Sequence, residues 1–272
     1  MISSDHILSI ITGLYRMARG LSYVCISMKH ATDRRENMAE QFRLHGIDGR
    51  FFDGVDISAH TGPIPGYSEA SRKFFYGCAL TKGQIGCYLS HREVWKQLIA
   101  SGDEAWCIME DDISFLSGFK AATEELYMYR EHWDIVRLYG IFKNPQIEYA
   151  SLPSGTKLMW MDTHPLGTQC YVVTRNAAER LLRVTERIMV PIDDALDQNW
   201  KHELRLYITS PEYVRDEGFD STIGKLDSGQ SIAYRILVKP FRRMRKIPQK
   251  AFNSKNRPTG ILRLGKNDVT GA

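Results

Sequence analysis

No part of this 272-residue sequence is apolar for long. The only early candidate, residues 7–14, is interrupted by Ser9 and Thr12. It falls far short of the ~20 apolar residues that a membrane-spanning helix needs. Neither a spanning segment nor a secretory signal is expected. Cysteine is sparse as well. Cys25, Cys78, Cys87, Cys107 and Cys170 form no C-x-x-C pair, and an odd number leaves one unpaired. Cys25 and Cys107 sit in apolar runs, where a reduced thiol behaves as a small hydrophobe. These features predict a reduced, cytoplasmic setting. Several nucleotide and hydrolase motifs are missing too. The absence of G-x-G-x-x-G after the first strand and of G-x-x-x-x-G-K-[ST] argues against dinucleotide oxidoreductases and P-loop enzymes. With no G-x-S-x-G and no H-E-x-x-H, nucleophilic hydrolases and zincins lose their signatures.

What is present is ordinary globular composition, 43% hydrophobic and 25% charged, which excludes disordered and collagen-like classes. The length suits one large domain able to bury a core without disulfide or metal staples. The net charge of +4 is unevenly spread. Residues 235–272 hold eleven Lys/Arg against the single acid Asp268, a local charge of +10 that leaves −6 for the rest. An acidic body with a basic tail points to an anionic partner for the tail. Three parts are expected: an N-terminal extension over 1–20, a domain over 21–234, and a basic tail over 235–272.

Within the domain, apolar patterning predicts strands at 23–28, 50–56, 105–109, 133–139, 169–173 and 204–208. A helix is expected over 33–45, with Met38, Phe42 and Leu44 on its apolar side. Residues 57–80 carry the Gly62-Pro63-Ile64-Pro65-Gly66 punctuation and read as a long loop. Thr81-Lys82-Gly83-Gln84 is a capping box opening a helix to about residue 100 that stops near Gly102. Its expected core face is Ile85, Leu89, Trp95, Leu98 and Ile99. Another helix over 176–189 has Asn176 and Glu179 as cap and N3 residue. Alternating strands and helices imply an α/β fold with a mostly parallel sheet and ligands at the carboxyl ends of its strands.

The sharpest chemical signal is Glu110-Asp111-Asp112 at the end of the apolar strand. Three adjacent carboxylates there repel one another and lose hydration, a cost that a divalent cation would offset. Oxygen ligands with open positions for phosphate suit manganese or magnesium. The competing reading is a solvated acidic turn. Asp193-Asp194, after Pro191-Ile192, reads either as a helix cap or as the site of a general base. Ser90 and His91 lie in the capped helix. Gly83, Gly86 or Cys87, and Ser90 follow one another along one side, where small residues permit close approach. His91 itself reads either as a structural hydrogen-bonding residue or as part of a site.

Together these blocks resemble glycosyltransferase family 25, the lipooligosaccharide galactosyltransferases of Gram-negative bacteria and their collagen-modifying relatives. The resemblance spans roughly residues 22–224. It rests on Val24-Cys25-Ile26-Ser27-Met28 with Asp33-Arg34-Arg35, on Phe51-Phe52-Asp53-Gly54-Val55-Asp56, and on 80–91 ending Gly86-Cys87-Tyr88-Leu89-Ser90-His91. It continues through Met109-Glu110-Asp111-Asp112, 167–174, Pro191-Ile192-Asp193-Asp194 and Ser221-Thr222-Ile223. The G-C-x-x-S-H block followed about twenty residues later by E-D-D is the specific part. Family members start almost at the first strand, so the first twenty residues here depart from the pattern.

The resemblance implies a GT-A type, Rossmann-like single domain that performs inverting hexosyl transfer. The implied donor is UDP-galactose, with UDP-glucose or another UDP-sugar as alternatives. The implied acceptor is a lipid-linked saccharide, a lipooligosaccharide. Manganese, or magnesium, would bridge the diphosphate to Glu110 and Asp112, with Asp111 beside the donor. Arg34 and Asp56 would lie beside the nucleotide, and Ser90 and His91 beside the donor. Asp193 or Asp194 would be the base. Charge adds peripheral attachment of the basic tail to the anionic inner face of a cytoplasmic membrane. Three rivals are weighed against this, one of them a sugar-binding or scaffold protein that kept the fold but lost activity, against which the intact E-D-D and P-I-D-D speak. A metal-dependent phosphohydrolase would add clustered His ligands, and the eight His form no H-x-H or H-D pair. A nucleic-acid binder would interleave aromatics with its cations, and the tail offers only Tyr234, Phe241 and Phe252, so no nucleic-acid partner is expected.

Overall fold

The structure, a computed structural model, describes residues 20–142, 145–163, 165–218, 246–265 and 268–269. The N-terminal extension up to residue 19, the run Arg242-Arg243-Met244-Arg245 and Ser221-Thr222-Ile223 lie outside the described residues.

β1 (Ser22–Ser27) leads to helix α1 (Thr32–His45) and β2 (Gly49–Asp53). α2 (Glu69–Tyr76) and α3 (Lys82–Ser101) precede β3 (Ala105–Glu110) and the short β4 (Ile113–Phe115). α4 (Phe119–Met128) is followed by β5 (Ile135–Arg137), β6 (Gln146–Ser151), β7 (Lys157–Met161) and β8 (Cys170–Thr174). Then come α5 (Arg175–Val184), α6 (Ile192–Leu196), α7 (Asn199–His202), β9 (Leu206–Ser210) and β10 (Val214–Asp216). α8 (Lys246–Asn256) and β11 (Leu262–Arg263) are the last elements among the described residues.

Nine of these strands form one sheet in the order β11-β6-β7-β9-β5-β8-β3-β1-β2. Chaining the pair directions, seven strands point one way and only β7 and β8 run against them. The single mixed domain with a mostly parallel sheet expected from sequence is therefore the one observed. Its central strands are apolar through their middles because both faces are covered, with polar residues such as Ser27, Glu110 and Arg137 only at their ends. Successive residues alternate between two cores. Tyr23, Cys25, Cys107, Met109 and Val136 meet Met38 and Phe42 of α1 and Phe119 and Leu126 of α4. Val24, Ile26, Ile108, Ile135 and Val173 meet Tyr88, Trp95 and Leu98 of α3 and Ala177 and Leu181 of α5.

The capping box forms as written: the Gln84 amide donates to Thr81 Oγ1 at 3.1 Å, and the Thr81 amide to Gln84 Oε1 at 3.0 Å. Gly102 ends α3 in the left-handed conformation at φ 74°. Other expectations are corrected. Leu44 is exposed, since only Met38 and Phe42 of α1 turn to the sheet. The loop over 57–80 contains α2, capped by Ser68. The second capped helix is held by Thr174 rather than Asn176, through the Ala177 amide.

The division at residue 235 also changes. β11 pairs in parallel with β6, Leu264 enters the core, and Asn253 Nδ2 donates to the Asp162 carbonyl at 2.7 Å. Residues 246–265 thus supply the outermost strand of the sheet, itself exposed, and pack on the domain through Asn253 and Leu264.

Candidate functional site

Strand register brings the chemistry to one sheet edge. Ser27 aligns with Asp53 and Ile26 with Glu110, so β1, β2 and β3 end together. β8 runs the other way, and Met109 pairs with its first residue, Cys170, so Thr168 and Gln169 arrive at the same edge. Arg137 ends β5 opposite Tyr171. This is the carboxyl edge where an α/β sheet binds ligands.

The three acids at the end of β3 have different surroundings. The Glu110 carboxylate turns inward. Thr168 Oγ1 donates to its Oε1, and His91 Nε2 lies 3.6 Å from the same oxygen. Burial pushes its pKa up, but His91, Thr168 and Arg137 together hold it below the usual carboxylate range. Asp111 is buried and fully engaged, accepting from Ser27 Oγ at 2.6 Å and from Arg34 Nη1 at 3.2 Å. Asp112 stands apart. Its Oδ1 is buried with no hydrogen-bond partner among the described residues. Burial first, then the charges of Glu110, Asp216 and Asp111, pushes its pKa up to about 7. Asp216 arrives because β10 pairs antiparallel with β4, and the Glu217 amide donates to the Asp112 carbonyl at 2.9 Å. An orphaned carboxylate oxygen among acids is a fitting place for a hard divalent cation.

Asp193 and Asp194 lie in the first turn of α6. The N-cap is Pro191, so neither aspartate is the cap. Asp193 Oδ1 accepts the Asp194 amide at 2.8 Å, and the Asp193 carbonyl accepts Arg137 Nη2 at 3.3 Å. The charge of Asp193 is felt at Cys87 together with those of Glu110 and Asp112, whereas that of Asp194 is felt at Arg72. Asp193 thus acts on the same thiol as Glu110 and Asp112.

The remaining expected residues divide. Arg34 lies at the triplet through Asp111. Asp56 is exposed after β2, and the Ser58 amide at 2.8 Å holds its carboxyl below the usual range. Ser90 has a structural engagement: its Oγ accepts the Val55 amide at 2.8 Å and donates to the Gly86 carbonyl at 2.8 Å. It fastens the loop carrying Asp56 to α3. The close approach expected of the small residues is realised at Gly86, where a Cβ would come within 2.7 Å of the Val55 carbonyl. His91 is fully buried, with Nδ1 2.8 Å from the Tyr171 hydroxyl; that hydroxyl accepts from Trp95 Nε1 at 3.0 Å.

Sequence reasoning missed the buried pair of Arg137 and Asp197, 2.6 Å apart and about 1% exposed. Burial raises Asp197 to about 6 against the pull of Arg137 and the Leu166 amide. The signal was a single Arg in the apolar run Ile135-Val136-Arg137-Leu138, with an acid four residues after Asp193. Asp216 gave no local signal, since only the β10–β4 pairing brings it in.

Comparison with known proteins identifies the family. The profile of glycosyltransferase family 25 (LPS biosynthesis protein) matches residues 22–196, well over half of the chain. The inactive glycosyltransferase 25 family member 3 of Homo sapiens is 30% identical over 185 residues, covering 63% of this chain and 30% of the relative. The procollagen galactosyltransferase 1 of Danio rerio is 28% identical over 201 residues, covering 68% and 32%. The chain thus spans about a third of the length of these relatives. Among solved structures, a glycosyltransferase involved in glycosylation of the major capsid of PBCV-1 is similar with TM-score 0.35 and 8% identity. It covers 62% of this chain and 65% of that one. With its profile running from the first strand through Asp193 and Asp194, the chain belongs to glycosyltransferase family 25.

Proposed function

We propose that this protein is an inverting glycosyltransferase that moves galactose from UDP-galactose to a hydroxyl of a lipid-linked saccharide. The observation that carries the proposal is Asp112, whose buried Oδ1 has no hydrogen-bond partner among the described residues and lies at the carboxyl edge of the sheet beside Glu110 and Asp216. A manganese ion would be held by Asp112 with Glu110 in support, and when bound it supplies charge stabilisation to the departing diphosphate.

The protein's own groups do the rest. Arg34 and Ser27 fix Asp111. Asp193 accepts the proton of the attacking hydroxyl at a carboxylate oxygen, which a single displacement with inversion requires. The Arg137 guanidinium, bonded to Asp197 and to the Asp193 carbonyl, sets the first turn of α6 and so aims Asp193. A location at the anionic inner face of a cytoplasmic membrane, where a lipid-linked acceptor would be within reach, is supported by the +10 of residues 235–272. Among the described residues no helix is long and apolar enough to cross a membrane.

The test is UDP release from a panel of UDP-sugars with manganese, with and without acceptor. Release from UDP-galactose that stops in EDTA is expected. Release that is indifferent to EDTA would remove the metal, and no release from any UDP-sugar would remove the transferase reading. The second result would align this chain with its relatives named inactive.

A further inference from the structure

Cys87 and His91 are four residues apart on α3 and therefore share one face. Glu110 meets that face from the end of β3. Cys87 Sγ, a His91 ring nitrogen and a Glu110 carboxylate oxygen all lie within 4.8 Å of one another. We propose that these three side chains form a second cation site, one that takes a soft divalent ion such as zinc and shares only Glu110 with the oxygen site at Asp112.

Three observations support it. First, His91 is fully buried, and its Nε2 has no hydrogen-bond partner among the described residues. The 3.6 Å to Glu110 Oε1 exceeds the ~2.7–3.2 Å of an N–H···O bond. The nitrogen is aimed at the cluster without being satisfied by it. Second, Nδ1 is held 2.8 Å from the Tyr171 hydroxyl, itself pinned by Trp95. In the tautomer with the proton on Nδ1, that is the outer support a metal-binding imidazole normally has, the far nitrogen donating to oxygen while the near one presents its lone pair. Third, the donor set differs from that of the other site. Thiolate with imidazole selects zinc over manganese, whereas carboxylate oxygens alone favour the harder ion. A zinc site with bonds of about 2.0–2.3 Å keeps its ligands about 3.5 Å apart. The three groups then close by roughly 1 Å, within reach of side-chain rotation.

Burial keeps the Cys87 thiol protonated well above its normal range, the Thr168 hydroxyl partly opposing this. An arriving zinc ion displaces that proton and leaves the thiolate as ligand. Three protein ligands leave a fourth position for water. Because Glu110 belongs to both sites, zinc here would turn its carboxylate further from the diphosphate and slow transfer. Only that consequence rests on the transferase reading; the site itself stands without it.

Cobalt(II) tests the site with no donor or acceptor present. The reduced full-length protein should take up one equivalent with a thiolate-to-cobalt charge-transfer band, and zinc should bleach it. Cys87→Ser should lose the band while keeping the wild-type far-ultraviolet circular dichroism. Cobalt bound without a thiolate band would overturn the proposal. So would a band undiminished in Cys87→Ser, which would place the metal at other thiols, such as Cys107 and Cys170, 3.8 Å apart in the core. Should Cys87→Ser not fold, wild-type protein decides through alkylation read by peptide mass. Loss of Cys87 labelling at one equivalent of zinc supports the site, and unchanged labelling overturns it.

Discussion

At the scale of single residues, Asp112 joins stability to function. Its carboxyl is held at about 7 in the folded protein against 3.8 for the free side chain. A raised carboxyl pKa contributes stability that is full below about pH 4 and lost as pH rises through 7. Above neutrality the ionised group is a penalty of at most ~4 kcal/mol. Asp112→Asn removes that ionisation. In metal-free protein it should raise the melting temperature most at pH 8, less at pH 5, and leave it nearly unchanged at pH 3.5, as scanning calorimetry would read. Manganese should stabilise the wild type at pH 8 by mass action and fail to stabilise Asp112→Asn; equal stabilisation of both would dismiss Asp112 as a ligand. Asp193→Asn keeps the shape of the first turn of α6 but removes its basicity. It should lower turnover by ~10²–10⁴ with UDP binding retained, and Asp194→Asn, on the Arg72 side, should cost far less. Wild-type turnover in Asp193→Asn would return the pair to a structural role.

At the scale of elements, α3 carries two kinds of information that mutation can separate. Thr81→Ala removes a cap worth about 1 kcal/mol and should lower the melting temperature without altering donor affinity. Gly86→Ala places a methyl 2.7 Å from the Val55 carbonyl and must push the loop bearing Asp56 away. It should cost ~1–3 kcal/mol of overpacking and raise the KM for the UDP-sugar; an unchanged KM would mean that this loop does not touch the donor. Both residues stand out in the sequence, because a capping box and a small-residue side are local patterns. So is the acidic triplet, three charges ending the apolar run of β3. β6 and β7 were missed for the opposite reason. The Gln146–Ser151 segment mixes polar and apolar residues, and its strand state comes from pairing with Lys157–Met161 and β11 rather than from its own pattern. The same long-range pairing hid Asp216. Arg137 and Asp197, sixty positions apart, hid through their distance in the sequence. Ser90 was legible as small and helical, but only the fold shows that its hydroxyl faces the Val55 amide.

At the scale of the whole molecule, charge and fold overlap in the C-terminal region. Lys250, Lys255, Arg257 and Arg263 are all exposed there. Yet the same stretch supplies β11, seats Leu264 in the core, and gives the Gly265 carbonyl to the Tyr129 hydroxyl at 3.0 Å. Truncation after Ser231 therefore confounds membrane attachment with loss of a sheet edge. It should lower stability and reduce transfer even to a soluble acceptor. Neutralising Arg242, Arg243, Arg245, Lys250, Lys255 and Arg257 to Gln separates the two effects. Near an anionic leaflet each cation contributes about 1 kcal/mol. Removing six should weaken co-sedimentation with phosphatidylserine vesicles by roughly 10³-fold or more at low salt, with melting temperature and soluble-acceptor turnover kept. Unchanged vesicle binding in this variant would show that the basic residues do not hold the protein at a membrane. Loss of soluble-acceptor turnover would show instead that these cations serve the active site.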